Sequence, residues 1–288
     1  MRILFFILIT GILFISCSKK EQAIKNDPEP SPLIYDSIYP DKIYIARLSG
    51  VVEDTEVIQV FHYDNLKRLD RWYEMNLNGG PTQWYRNFEF NGTDTLPARE
   101  TYCDLSIGDS LNIFKKFDDQ QRLISDSGTE WTYYSGTWTF SIYRVINQEW
   151  YSDHLIKYKK GSSNGFFWNE YYRDTIYFNN QQDYTSVKTK SYESVFYYDS
   201  GVNPFYRYRA FSVGPSLMHN YLPDHPSYHT LTQNTCNAIE GTTSYPYNAT
   251  IQSQNSFNSH DQITRQSVSF NNNGVVSTTV YHYTYKKL

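Results

Sequence analysis

VFHYDNLKRLDRW, residues 60–72, is the stretch on which the fold turns. Phe61 and Tyr63 stand two apart, which sets both on one face of a pleated strand. Asp64-Asn65 follows, and these residue types accept left-handed backbone or close Asx turns, so the chain reverses and pairs with itself. Leu66 and Leu69 then resume the apolar beat. The stretch reads as strand, turn, strand.

The unit recurs. Copies begin at Phe88 (FEFNGTDTLPARE), Ile113 (IFKKFDDQQRLIS), Leu155 (LIKYKKGSSNGFF), Thr175 (TIYFNNQQDYTSV), Val195 (VFYYDSGVNPFYR) and Ser267 (SVSFNNNGVVSTT). The aromatic before each turn is Tyr63, Phe90, Phe117, Tyr158, Phe178, Tyr198 or Phe270. The first three anchors are evenly spaced, and so are Tyr158, Phe178 and Tyr198; such periodicity marks a repetitive architecture. SDSGTEWTYYSGTWTFSIYRV, residues 125–145, reads as a further hairpin turning at Ser135-Gly136. A lone hairpin buries too little apolar area to stand, so neighbours must pair edge to edge. The heavy use of Tyr (28) and Phe (17) suits strands and disfavours helices. The expected fold is all-β: a large antiparallel sheet of consecutive hairpins, curved by its own twist into an open or barrel-like form, with a β-sandwich as the alternative.

These repeats resemble the tyrosine-aspartate (YD, or RHS-like) repeats of bacterial surface proteins, and the chain is similar to Bacteroidota cell-envelope lipoproteins built from such hairpins. Tyr198-Asp199-Ser200-Gly201-Val202-Asn203-Pro204-Phe205, then Leu231-Thr232-Gln233-Asn234, carries the likeness most strongly. The ending Tyr281-His282-Tyr283-Thr284-Tyr285-Lys286-Lys287 carries it too. The early copies depart from the pattern: Lys159-Lys160 follows Tyr158, and the Phe90 copy lacks the acid.

The chain opens with Arg2 and an apolar run from Ile3 to Ile15, shorter than the roughly 20 residues a spanning helix needs. With the small residue Ser16 at its end, residues 1–16 read as a secretory signal. Cys17 directly behind it resembles the lipobox cysteine of bacterial lipoproteins, although Phe14 stands where Leu is usual. Lipidation at Cys17 would hold the protein on a membrane without a spanning helix. Ser18-Lys19-Lys20-Glu21-Gln22 is similar to surface-export signals of such lipoproteins, which leaves the outer membrane's cell surface or its periplasmic face as the expected location. Residues 17–41, with Pro28, Pro30, Pro32 and Pro40, read as an extended tether. Residues 42–288 then form a single domain, interrupted by an irregular proline-bearing insertion, 203–253, expected to cover one end of the sheet.

Few residues point to chemistry. His219, His225 and His229, with Asp224, lie in the insertion, but no metal-ligand spacing links them and Pro226 blocks a common helix face. Asp64, Asp118, Asp119 and Asp199 sit at turns and form no calcium-loop pattern. No nucleophile elbow is present, and Cys103 has no local His. Catalytic, cofactor-binding and metal residues are accordingly none. Cys103 and Cys236 either bridge, as an export compartment permits, or stay as two small buried residues. A formal net charge of −4 gives no basic footprint for nucleic acid. Trp72, Trp84, Tyr85, Trp131, Trp138, Trp150, Phe167 and Trp168 form the pool from which a sugar-stacking surface could come. The expected function is non-enzymatic binding of a glycan or protein partner at the envelope; a glycan hydrolase or a purely structural component are the alternatives.

Overall fold

The structure, a computed structural model, describes residues 38–77, 84–105, 108–134, 136–163, 166–181, 183–206, 208, 227–238, 248–272 and 274–288. The signal, Cys17 and most of the tether lie outside these residues. The first strands are β1 (Ile38–Ser49), β2 (Val52–Tyr63), β3 (Leu69–Asn76), β4 (Trp84–Glu89) and β5 (Arg99–Asp104). Next come β6 (Asp109–Phe117), β7 (Leu123–Tyr134), β8 (Thr137–Trp150), β9 (His154–Ser163) and β10 (Phe166–Phe178). The chain ends with β11 (Tyr184–Lys188), β12 (Tyr192–Val202), β13 (His229–Ala238), β14 (Asn248–Phe257), β15 (Ile263–Asn272) and β16 (Val275–Lys287).

Each strand pairs antiparallel with its sequence neighbours, and β16 returns to β1 through Ile43↔Tyr283, so the sheet closes into a barrel. Closure removes every edge strand. It settles the choice among open sheet, barrel and sandwich in favour of the barrel. The wall begins at Ile38, inside the stretch read as tether. Pro40, which cannot donate to a ladder, sits at a register shift between Pro40 and Lys42, where proline is tolerated. Its carbonyl accepts the Tyr63 hydroxyl at 2.8 Å.

Because strands alternate in direction, the turns after even-numbered strands share one end of the barrel with the start of β1 and with Leu288. Four of these turns use one design. Asp64 Oδ1 accepts the Leu66 and Arg68 backbone N–H at 2.8 and 2.9 Å. Asp118 Oδ1 accepts those of Gln120 and Arg122, Asn179 Oδ1 those of Gln181 and Asp183, and Asn258 Oδ1 those of His260 and Gln262. The left-handed residue is not the Asp or Asn itself but lies three positions on, at Lys67 (φ 63°), Gln121 (φ 61°) and Asp261 (φ 56°). The Asn258 copy escaped the sequence reading.

Two copies do not turn where the repeat suggested. Tyr158 lies mid-strand, since Lys159 and Lys160 supply no turn chemistry and β9 runs on to Ser163. β12 likewise continues past Asp199 to Val202. There Asp199 accepts hydrogen bonds from the Thr230 hydroxyl and, at 2.9 Å, from Asn255 Nδ2, and so ties three strands together. The insertion is also shorter than expected, because β13 and much of β14 are regular strands within 203–253; residues 209–226 and 239–247 lie outside the described residues.

At the capped end much of the lumen is apolar. Ile43, Phe61, Leu69, Trp72, Phe88, Ile263 and Tyr283 form one buried cluster, closed by Phe205 from behind β12. Phe205 stands 5.3 Å from the Phe61 ring, and the Tyr208 hydroxyl donates to the Tyr63 hydroxyl at 2.9 Å. Leu155, Ile176, Tyr184, Val187, Phe196 and Leu231 form a second cluster from β9 to β13. Each such side chain contributes about 1.5–3 kcal/mol by leaving water.

Candidate functional site

Strand register assigns each side chain to a face, because residues paired across a ladder point the same way. Starting from Ile43 and passing around the barrel returns to Tyr283 without contradiction. Beside the apolar clusters, across β5 to β7, the inner face carries charge. Glu100, Lys115 and Asp126 meet there on β5, β6 and β7, with Lys115 Nζ 2.9 Å from Glu100 and 3.3 Å from Asp126. Arg86 on β4 lies 3.6 Å from the same Glu100. Lys157 and Asp174, on β9 and β10, form a separate pair at 3.6 Å.

The two groups differ electrostatically. Burial alone would pull Lys115 down, but its two carboxylates outweigh that and hold it above the usual lysine value. Lys157 has one carboxylate, and burial pulls it below the ordinary value. Burial pushes Asp174 up despite Lys157. Burial also raises Glu74, although Trp84 Nε1 donates to it at 2.6 Å. Tyr102, half-buried beside Asp104, is pushed up to about 12. Lys115 and Lys157 thus face their carboxylates within the wall, while Glu74 is held by Trp84 and Tyr102 by Asp104.

Of the histidines, His219 and His225 lie outside the described residues, as does Asp224. His229 opens β13 and holds Asp183: its backbone N–H donates to Oδ1 and its Nδ1 meets Oδ2, both at 2.7 Å. Among the described residues no three His, Cys, Asp or Glu side chains gather as metal ligands would. Asp64 and Asp118 are consumed as turn caps, each also paired with the arginine four residues on. Cys103 and Cys236 are both buried and free, so the bridge considered between them is not formed. Cys103 points outward from β5 and Cys236 inward from β13, eight strands away around the barrel.

The aromatic pool divides by face. Trp72 is buried against Phe61, Trp84 packs edge-on to Trp72 at 5.2 Å, and Trp150 donates to the Leu123 carbonyl at 2.8 Å. Trp131 faces outward. The side chains of Trp138, Phe167 and Trp168 lie outside the described residues. On the outer face of β7 and β8, Trp131 (37% exposed), Tyr133 (48%), Phe140 (45%) and Tyr143 (43%) form one patch. The rings of Trp131 and Phe140 meet edge to face at 5.6 Å. Beside them on the ladder lie Thr129, opposite Tyr143, and Asn112, opposite Thr129. A β-bulge between Glu130/Ile142 and Trp131/Phe140 decides which way these rings point. Alternation counted along β8 alone puts Phe140 on the wrong face, so the sequence could supply the pool but not the patch.

No family model and no curated protein matches the chain. Among solved structures it is similar to a porin-like protein from Bacteroides vulgatus, with a TM-score of 0.52 at 9% identity over 88% of this chain and 100% of that one. It is also similar to a porin-like protein from Bacteroides uniformis, with a TM-score of 0.39 at 10% identity over 86% of this chain and 96% of that one. The first likeness defines a class of fold, the closed antiparallel barrel.

Proposed function

We propose that this is a non-enzymatic cell-envelope lipoprotein of the outer membrane whose barrel stands in water as a binding scaffold and does not act as a pore. One observation carries this reading: the outward face of the wall is hydrophilic over much of its circumference. Gln233, Thr235 and Asn237 on β13, Thr250, Gln252 and Gln254 on β14, and Ser267 and Ser269 on β15 all point outward by register. A barrel in lipid needs an apolar outer band about 25 Å tall around its whole girth. Side-chain amides facing hydrocarbon without partners would each cost several kcal/mol. The interior supports the same reading, since the lower lumen is packed with Phe61, Trp72, Leu155 and Phe196.

Attachment then falls to acyl chains on Cys17, with the tether entering the barrel at its capped end. Binding is favoured over catalysis because the buried acids of the wall are tied to Lys115, Lys157 or turn backbone. The test is a chain comprising Ser18–Leu288, exported behind a leader that lacks the lipidated cysteine. It is expected as a monodisperse, strand-rich protein in buffer without detergent, with no conductance in planar bilayers. Recovery only in detergent, or stable channels, would overturn the proposal.

A further inference from the structure

We infer that the outward patch on β7 and β8 is a binding platform for a neutral oligosaccharide; this rests on the barrel wall standing in water. Single exposed aromatics are ordinary, as with Tyr177 and Tyr197 elsewhere on the wall, but a contiguous group of rings in water is a recognition feature. The pair Trp131 and Phe140 offers two perpendicular ring surfaces, and Tyr143 adds a hydroxyl-bearing ring one ladder row away.

The surroundings choose the ligand. The row below the rings is uncharged, with Thr101, Asn112 and Thr129 side by side across β5, β6 and β7. Asn112 Oδ1 accepts from Arg99, at 2.6 Å to the nearer nitrogen, and from Thr101 at 3.2 Å. Its amide orientation is thereby fixed, with the N–H pair left unpartnered among the described residues. Fixed amide and hydroxyl groups beside apolar rings match a sugar, whose C–H face stacks while its hydroxyls pair. A lipid surface would call for Lys or Arg flanking the rings, and an acidic polymer for cations on the platform; the outward Lys160 beyond Tyr143 is laid over the Tyr158 ring at 5.4 Å. Arg99 is already engaged with Asn112, Glu89 and the Phe114 ring.

The test uses the Ser18–Leu288 chain in titration calorimetry against neutral hexasaccharides (of glucose, xylose and N-acetylglucosamine), a hexauronate, and phosphatidylethanolamine–phosphatidylglycerol vesicles. At least one neutral hexasaccharide is expected to bind. Trp131→Ala and Phe140→Ala should each weaken that binding by about tenfold or more, while Tyr197→Ala leaves it unchanged. All three positions are on the surface, and circular dichroism confirms that each variant folds. Binding of no neutral sugar, binding indifferent to Trp131→Ala, or binding only to the hexauronate or the vesicles overturns the inference. The chain would remain a water-standing barrel in each of those cases, because detergent-free solubility is read before any ligand is added.

Discussion

At the scale of single residues, the recurring turn works through one oxygen atom. Asp64 Oδ1 holds two backbone N–H groups, and Oδ2 holds Arg68 at 2.6–2.7 Å. Where the cap is Asn, as at Asn179 and Asn258, the fifth turn residue changes to Asp183 or Gln262, which takes the amide N–H. Asp64→Asn therefore keeps the backbone bonds and loses only the ion pair, an expected cost under about 1 kcal/mol in urea unfolding. Asp64→Ala loses both and is expected to cost about 1–3 kcal/mol. The buried lysines divide the same way. Removing Lys115 by Lys115→Met takes the shared cation from two buried carboxylates, Glu100 keeping Arg86, and should cost about 3–5 kcal/mol. Its folded value lies above the unfolded one, so the stability it contributes is complete below the ordinary lysine value and is lost as pH rises through the raised one. Lys157 and Asp174 shift against their charges. The Asp174 penalty sets in as pH rises past the ordinary aspartate value, the Lys157 penalty as pH falls below the ordinary lysine value, and both are present at neutral pH. The paired substitution Lys157→Met with Asp174→Leu should leave stability at neutral pH unchanged or raise it by about 1–4 kcal/mol, whereas Asp174→Leu alone lowers it.

At the scale of elements, the hairpins were legible wherever turn chemistry and apolar alternation coincided. Tyr63-Asp64 and Phe117-Asp118 turn as the sequence implies, and Gly136 (φ +85°) and Gly274 (φ +88°) close the hairpins after β7 and β15. β13 and β14 were not legible as strands because their inward positions mix polar Asn234 and Ser253 with Leu231, Cys236, Ala249 and Ile251, opposite outward Thr235 and Gln252. Hydrophobic periodicity marks a strand poorly when its buried face is itself part polar. The β6–β7 ladder shows how tightly the wall is drawn. A Cβ on Gly128 would lie 2.0 Å from the Asn112 carbonyl oxygen, with backbone on both sides of the contact. Gly128→Ala is expected to cost at least about 1–3 kcal/mol, and because Asn112 borders the aromatic patch, thermal unfolding and sugar titration should both register it. On the other side of the barrel, Glu53 near the tip of β1–β2 reaches Arg265 on β15 and His282 on β16, both at 2.6 Å. These strands are not neighbours of β2, so the tip bends across the outer wall, and the bulge between Ile45 and Ala46 supplies the bend. Ala46 and Val280 are buried although their ladder positions face outward.

For the whole molecule, closure was the property that local pattern could not give. Fifteen of the pairings join consecutive strands, but β1 and β16 meet from opposite ends of the chain. No hairpin signal encodes that contact; it follows from accumulated twist and from Ile43 and Tyr283 sharing one core. Long-range pairing of this kind is slow to form, since its closure entropy is met before any contact rewards it. The first half of the wall must therefore persist with an open edge until β16 arrives.

The seam places Ile38 opposite Lys287, so the barrel's first and last strands finish side by side, and Lys67 Nζ grips the Leu288 carbonyl at 2.7 Å. A short linker could splice these termini, and new ones could be cut into any of the Asx-capped loops around the same rim without disturbing a ladder. The anchor proposed at Cys17 would thus be transferable: moving it from one loop to the next would rotate the aromatic patch about the barrel axis, and so choose the direction in which the patch faces.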